Sequence, residues 1–503
     1  MHKPIFIFCC ITSLLLTQVT NAQRAQTVVI SFDESHAYQT IDNFGASDAW
    51  ACQFVGNWPD AKKNAVADWL FSLDTLPDGN PRGIGLSLWR YNLGAGSAEQ
   101  QEGSGIKDEW RRAALTLGNS EKVQAQNWFL KAAQKRGVQQ FLGFYNSPPV
   151  QFTKNGKAYA TKGQSNIASA SYQAFASYTA QAIEHISQAT GVTFTYISPV
   201  NEPQWDWSDG GQEGCPYTNA EISGLVKAFS SSFNQKKLAT QLVVTESGHL
   251  KYLLTAEDKQ DKDNQVADLF QASSPLHIGG MPNVYPAIAA HSYFSTSPFA
   301  DGMQLRNRVR DTVAQVKGLR YWQSEYCILG DNAGEIEGNR KDLGMHPALY
   351  IAKVIHEDLV GGNASAWQWW TAVSAYDYKD GLVYVDKNKN DGQVSDSKML
   401  WALGNYSRFI RPGMQRVQVQ TKDGKDLLVC GFANAKKDKL VMVLVNEGQQ
   451  DKNISLQPKG SSRRYQKITL YKTSADANLA RQGVFKDASF SVPAKSIVTV
   501  VME

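Results

Sequence analysis

The chain is expected to fold as a (β/α)8 barrel of the TIM type with a β-sandwich fused at its side, an α/β architecture. Between about residues 41 and 405, short runs rich in β-branched and aromatic residues alternate with longer amphipathic runs through eight rounds. After residue 406 the amphipathic runs stop, and only short alternating runs remain, separated by Asp, Gly, Asn, Lys and Pro. A single strand-like run also precedes the barrel, so the sandwich is expected to be split in sequence, as 23–40 plus 406–503.

Residues 1–22 carry one lysine near the start, an apolar run over 5–16 and small residues at the end, which is the pattern of a secretory signal peptide. The run is shorter than the roughly 20 residues a membrane span needs, and no later stretch is longer, so no transmembrane segment is expected. The mature protein is therefore expected to be exported, to the periplasm, the cell surface or beyond. The run TVVISFDES at 27 is the outlying strand.

The barrel strands are expected in IDNFGAS at 41, IGLSLWR at 84, QQFLGFY at 139, TFTYISPV at 193, TQLVVTE at 240, AIAAHSY at 287, RYWQSE at 320 and ASAWQWW at 364. Several are apolar on both faces, as parallel strands covered by helices must be. Between them, AVADWLFSL at 65, SYQAFASYTAQAIEHIS at 171 and ALYIAKVIHEDLV at 348 repeat apolar residues three and four apart, the helical period. The spacing is about 46 residues per βα unit, which leaves room for long loops. Beyond 406, seven runs suggest an antiparallel sandwich: QRVQVQT, DLLVCGF, DKLVMVLVN, KNISLQP, YQKITLY, VFKDASF and KSIVTVVM.

Charged residues make up 19% and hydrophobic residues 42% of the chain, enough for a large core and too little charge for a disordered protein. The net charge is only +4 and the basic residues are scattered, with nothing denser than pairs such as Arg111 and Arg112, read as solvated; nucleic acid is excluded as the main partner. Four cysteines lie outside the leader, Cys52, Cys215, Cys327 and Cys430, with no CxxC spacing, and are expected to be free and buried. There is no HExxH and no Cys/His ligand spacing. The stretch DKNKNDGQVSDS at 386 only imitates a calcium loop, since its glycine comes one place late and position twelve is Ser397. No metal and no cofactor are expected, and the protein is expected to be a monomer.

In a (β/α)8 barrel the chemistry sits at the C-terminal strand ends. The polar residues there are Arg90 after the second strand, Asn201 and Glu202 after the fourth, Glu246 on the fifth, His291 and Tyr293 on the sixth and Glu325 on the seventh, with Trp367 and Trp369 on the eighth. Two glutamates at opposed strand ends among tryptophans suit glycoside cleavage, in which one carboxyl protonates the leaving oxygen and the other attacks the anomeric carbon. The segment SPVNEPQW (198–205) is the most specific: Asn201 can hold the hydroxyl next to the reacting carbon, Glu202 donates the proton, and Pro203 turns the chain out of the strand. As a bare Asn-Glu-Pro it could equally be a capped turn; its place at a barrel strand end, followed by Trp205 and Trp207, favours chemistry.

With DNFGAS (42–47), LWRYNLG (88–94), NSPP (146–149), NEP (201–203), HSY (291–293) and WQSEY (322–326), the chain resembles glycoside hydrolase family 30 over nearly its whole mature length. The resemblance implies Glu202 as acid/base, Glu325 as nucleophile, and Arg90, Asn201, His291, Tyr293 and Trp369 around the sugar being cleaved. The loop QWDWSDGGQEGCPYT (204–218) and the stretch GASDAWACQFVGNW (45–58) are most similar to the endo-β-1,6-galactanases of that family. This implies a polysaccharide or oligosaccharide substrate, such as the β-1,6-galactan side chains of arabinogalactan. Trp205, Trp207 and Trp369 are the tryptophans expected to stack on sugar, while about half of the tryptophans near the strand ends should be packing residues. Glu246 is left as either a substrate contact or a structural residue. The alternatives are β-1,6-glucanase, xylanase or glucosylceramidase-like activity, or a binding protein that has lost catalysis.

Overall fold

β1 (Thr27–Thr40) leads into eight parallel strands: β2 (Asn43–Ser47), β3 (Leu88–Asn92), β4 (Gln140–Phe144), β5 (Tyr196–Ser198), β6 (Gln241–Ser247), β7 (Val284–His291), β8 (Arg320–Glu325) and β9 (Ala364–Trp369). They close in sequence order into a barrel, β9 returning to β2 with Asn43 opposite Ala366 and Ala46 opposite Trp369. This computed structural model describes residues 27–255, 257–422, 424–459, 465–485 and 487–503; the leader assigned to 1–22 lies outside them.

Every run expected to be a barrel strand becomes one, because each is buried on both faces and only a parallel ladder satisfies its backbone there. Two are shorter than their apolar runs. The amides of Ile84 and Leu86 donate to the carbonyls of Trp69 and Leu70 at the end of the helix Asp60–Phe71, so pairing starts only at Leu88. β5 stops at Ser198 because Pro199 has no N–H to offer the ladder.

The helix Tyr172–Thr190 buries Phe175, Ala176, Thr179, Ala180, Ile183 and Ile186 on one face and ends at Gly191, whose φ of 75° suits a glycine C-cap. Met345–His356 continues into a π-helical turn over Glu357–Gly361, which brings Asp358 to Arg306 at 2.7 Å and to the Trp367 indole at 2.9 Å. At the floor of the barrel, the Trp322 indole N–H donates to Asp42 at 2.8 Å, and Arg320 pairs with the same carboxylate. No helix among the described residues is long and apolar enough to cross a membrane.

Beyond the barrel wall lies a small sheet of β10 (Val373–Ser374), β11 (Val383–Val385) and β12 (Val394–Asp396). The calcium-loop look-alike at 386–397 is mainly the exposed hairpin turn between β11 and β12.

The remaining strands are β13 (Gln415–Lys422), β14 (Leu427–Ala433), β15 (Leu440–Asn446), β16 (Lys452–Pro458), β17 (Ile468–Ser474), β18 (Ala477–Phe485), β19 (Ser489–Val492) and β20 (Ser496–Met502). There are eight where seven runs were expected: VFKDASF divides between β18, which pairs with β17, and β19, which pairs with β16. β1 lies between β13 and β16, antiparallel to the first and parallel to the second, so the sandwich is not purely antiparallel. Alternation along β15 faces Leu440, Met442 and Leu444 into the sandwich interior and Val441, Val443 and Val445 toward the barrel. At that junction Asn405 donates to Thr473 at 2.6 Å and Thr499 donates to the Asn405 carbonyl at 2.7 Å. All four described cysteines are free and buried.

Ile30 on β1 is fully buried in the sandwich core with Met442 and Leu456. Ile30→Ala is expected to destabilise the protein by about 2–5 kcal/mol in urea unfolding. A change near zero would mean that β1 is an appendage and not a core strand.

Candidate active site

Five barrel strands converge on one group of charges. Glu325 ends β8 directly opposite His291, which ends β7; Arg90 is on β3, Glu246 on β6, and Asn201 and Glu202 follow β5. Glu202 and Glu246 both adopt left-handed backbone, with φ of 44° and 51°, uncommon for side-chain-bearing residues and a kind of strain that gathers at functional sites. The Glu202 amide donates to the Glu246 carbonyl at 2.8 Å and the Trp207 indole donates to the Glu202 carbonyl at 3.0 Å, which together hold the turn.

Arg90 pairs with Glu325, donates to the Asn201 side-chain oxygen at 3.2 Å and lies 3.5 Å from Glu246. His291 sits among three carboxylates. Its Nδ1 is 2.9 Å from Glu202 and 3.6 Å from Glu325, and its Nε2 is 3.1 Å from Glu246. Burial works against a charged imidazole, but Glu325, Glu202 and Glu246 outweigh it and push His291 up to about 10, so both ring nitrogens carry protons and donate. Burial would likewise raise Glu246, yet Arg90 and His291 hold it down to about 2, helped by Ser198 at 2.6 Å. For Glu202 burial wins: its carboxyl is raised despite the hydrogen bond and charge of His291, with Glu325 adding to the rise. Tyr293 donates to Glu325 at 3.1 Å.

One carboxylate oxygen each of Glu202 and Glu325 and a nitrogen of His291 lie within 4.8 Å of one another. Both glutamates open onto a cavity of about 430 Å³, and Glu202 also borders a second of about 450 Å³, lined by Trp205, Asp206, Ser208, Asp209 and Phe294. Gly214 and Gly248 seat the indoles between: a Cβ at either would come 2.4 Å from Trp207 or Trp205, respectively.

Of the residues singled out in the sequence, Glu202, Glu325, Asn201, Tyr293 and Trp207 line the main cavity, and Trp205 lines only the second. Arg90 and His291 are buried beneath the carboxylates and act on them instead of lining the cavity wall. Trp369 is a correction. It is fully buried, with its indole donating to the Asp380 carbonyl at 2.7 Å, and Trp370 takes the cavity wall in its place. The ladder ends at Trp369, and the Trp370 amide turns to the Tyr326 carbonyl at 2.9 Å, which aims the next side chain into the site. Arg111 is a second correction: its guanidinium lies over the rings of Trp50, at 4.8 Å, and Tyr376, at 5.2 Å, on the cavity wall. Asn146, Tyr376 and Asp380 were not picked out as site residues. The NSPP run contains Asn146, whereas the loop between β10 and β11 that carries Tyr376 and Asp380 has no motif to mark it.

A parallel barrel whose C-terminal mouth holds two close glutamates, one of them with its carboxyl raised by burial, has the parts of a glycosidase. The profile of O-glycosyl hydrolase family 30 matches residues 26–384, and that of the family's β-sandwich domain matches 413–500. The chain belongs to glycoside hydrolase family 30. It is 25% identical to an endo-β-1,6-galactanase of Hypocrea rufa over 462 residues, 87% of this chain and 84% of that protein. It is 22% identical to a glucuronoxylanase of Bacillus subtilis over 440 residues, 84% of this chain and 88% of that protein. A crystal structure described as a conserved exported protein from Bacteroides fragilis is 32% identical, superposes with a TM-score of 0.86, and the match covers 94% of this chain and all of that one.

Glu246→Gln would leave the buried cations Arg90 and His291 short of an anion, and is expected to cost about 3–5 kcal/mol of stability. His291 is raised in the folded state, so its contribution is complete below about 6.5 and is lost as pH rises through about 10. Unfolding of the wild type between these values should show that decline. In the variant the decline should end at lower pH and be smaller, because one of the anions that raise His291 is gone.

Proposed function

We propose that the protein is an exported endo-β-1,6-galactanase that retains anomeric configuration, with Glu325 as nucleophile and Glu202 as acid/base. The observation that carries the chemistry is the close approach of the two carboxyl groups, one oxygen of each lying within 4.8 Å of the other, which suits the short separation of about 5 Å in enzymes that form a covalent intermediate. The raised carboxyl of Glu202 supports its role as the acid, since it keeps its proton at higher pH than an ordinary glutamate. Glu325, aligned by Arg90 and Tyr293, attacks the anomeric carbon to form a glycosyl ester as Glu202 protonates the departing oxygen. Glu202 then takes a proton from water, and that water cleaves the ester.

The two cavities support cleavage within a chain. The sugar that bonds to Glu325 occupies the cavity shared by both glutamates, and the leaving portion lies in the cavity that Glu202 alone borders, against Trp205 and Phe294. The choice of galactan rests on the likeness to the Hypocrea rufa enzyme over most of both chains, together with the 204–218 loop. The glucuronoxylanase likeness favours a xylan as the second reading. The leader-like residues 1–22 support export.

Debranched β-1,6-galactan should yield a ladder of galacto-oligosaccharides, with β-1,6-glucan and glucuronoxylan left intact. Products from the glucan or xylan alone would overturn the substrate while leaving the mechanism. Glu325→Gln should lose turnover by several orders of magnitude with the fold unchanged. Glu202→Gln should lose about 10²–10⁴-fold on galactan but much less in the first step on a nitrophenyl glycoside, whose leaving group needs no proton. Near-normal turnover by Glu325→Gln would remove it as nucleophile.

A further inference from the structure

The main cavity also holds a buried carboxyl group that the two-glutamate mechanism does not use. Asp380, in the loop between β10 and β11, lines this cavity together with Glu202 and Glu325 and is only 7% exposed. Its backbone is fixed: the Asp380 carbonyl accepts the Trp369 indole at 2.7 Å and the Thr371 hydroxyl at 3.3 Å. Ser374 lies near enough to pull the Asp380 carboxyl down, yet Oδ1 has no hydrogen-bond partner among the described residues. Asn146, which follows β4, also lines this cavity, is 2% exposed, and likewise has an unpartnered side-chain oxygen. Buried acceptors without donors are rare because each forfeits its hydration, so two in one cavity call for a ligand rich in hydroxyl donors.

We propose that Asp380, assisted by Asn146, is a specificity-determining residue that accepts hydrogen bonds from the O3 and O4 hydroxyls of the sugar that becomes bonded to Glu325. The inference rests on the β-1,6-galactanase reading. In a 1,6-linked chain O6 of that sugar carries the next residue, and O2 adjoins the reacting carbon on the side of Asn201 and Glu325. O3 and O4 are then the free hydroxyls. Galactose and glucose differ only in the orientation of O4, so a fixed carboxylate reading this edge separates a galactan from a glucan of the same linkage. Burial raises the Asp380 carboxyl to about 6 although Ser374 pulls it down, and hydroxyl donors would favour its ionised form further.

The test is a cycle of enzyme and substrate changes. Asp380→Ala and the shape-conserving Asp380→Asn are assayed for kcat and KM on a β-1,6-galacto-oligosaccharide and on its analogue lacking O4 in the sugar that is cleaved. Circular dichroism and the melting temperature report folding. Wild type should lose at least about a hundredfold in kcat/KM on the deoxy substrate, and Asp380→Ala a similar amount on the intact one. The variant should lose little more when both changes are combined. Losses that multiply, or folded variants within threefold of wild type on galactan, overturn the role of Asp380. If Asp380→Ala fails to fold, the same comparison is read from Asp380→Asn. A wild type that leaves galactan intact but cleaves another glycan overturns the proposed substrate instead, which keeps the two failures distinct.

Discussion

The charged cluster at the barrel mouth depends on one buried carboxylate, which is not one of the two groups proposed to cleave the bond. Glu246 lies under the mouth of the barrel between Arg90 and His291, and its charge lets two cations remain charged out of contact with water. Those cations reach the two proposed catalytic groups, Arg90 pairing with Glu325 and His291 touching both Glu202 and Glu325. Neutralising Glu246 would lower the proton affinity of His291 and remove a partner that balances Arg90, disturbing the two cations that contact Glu202 and Glu325. Burial raises the Glu202 carboxyl, while Arg90 pairs with Glu325.

The backbone carries part of the same constraint. Glu202 and Glu246 both sit in left-handed conformations where their strands end, and a main-chain hydrogen bond joins them. Such geometry persists only where the surroundings over-determine it. The closed barrel does so by fixing β5 and β6 in register, while the sandwich and the helix Lys398–Ser407 brace the outside of the barrel. Above this frame the loops supply shape: Trp205, Trp207 and Phe294 on one side of Glu202, and Trp50, Arg111, Trp370 and Asp380 around the cavity shared with Glu325.

What was legible in the sequence follows from local periodicity. The barrel strands stood out because each is buried on both faces, and the helices because their apolar faces repeat at the helical period. Glu202 and Glu325 stood out because they close strands within specific motifs. Trp369 and Trp370 are adjacent and alike, and only the end of the β9 ladder separates a packing residue from a cavity wall. Arg111 read as a solvated charge because nothing nearby in sequence marks Tyr376 as the ring beneath it. VFKDASF read as one strand because its composition hides two different pairing partners.

By itself the sequence determined which segments become strands and helices, where the two glutamates lie along the chain, and that tryptophans cluster near them, since burial pattern and turn chemistry are written over a few neighbouring residues. Tertiary structure alone decided that the Glu202 carboxyl is raised, that Glu246 lies between Arg90 and His291, and that Asp380 faces the cavity. Those properties are electrostatic and geometric relations between groups far apart in sequence: Arg90 and Glu325 are separated by 235 positions, and His291 and Glu202 by 89. The closure of the barrel brings them within a few ångströms, in surroundings where burial makes each charge depend on the others.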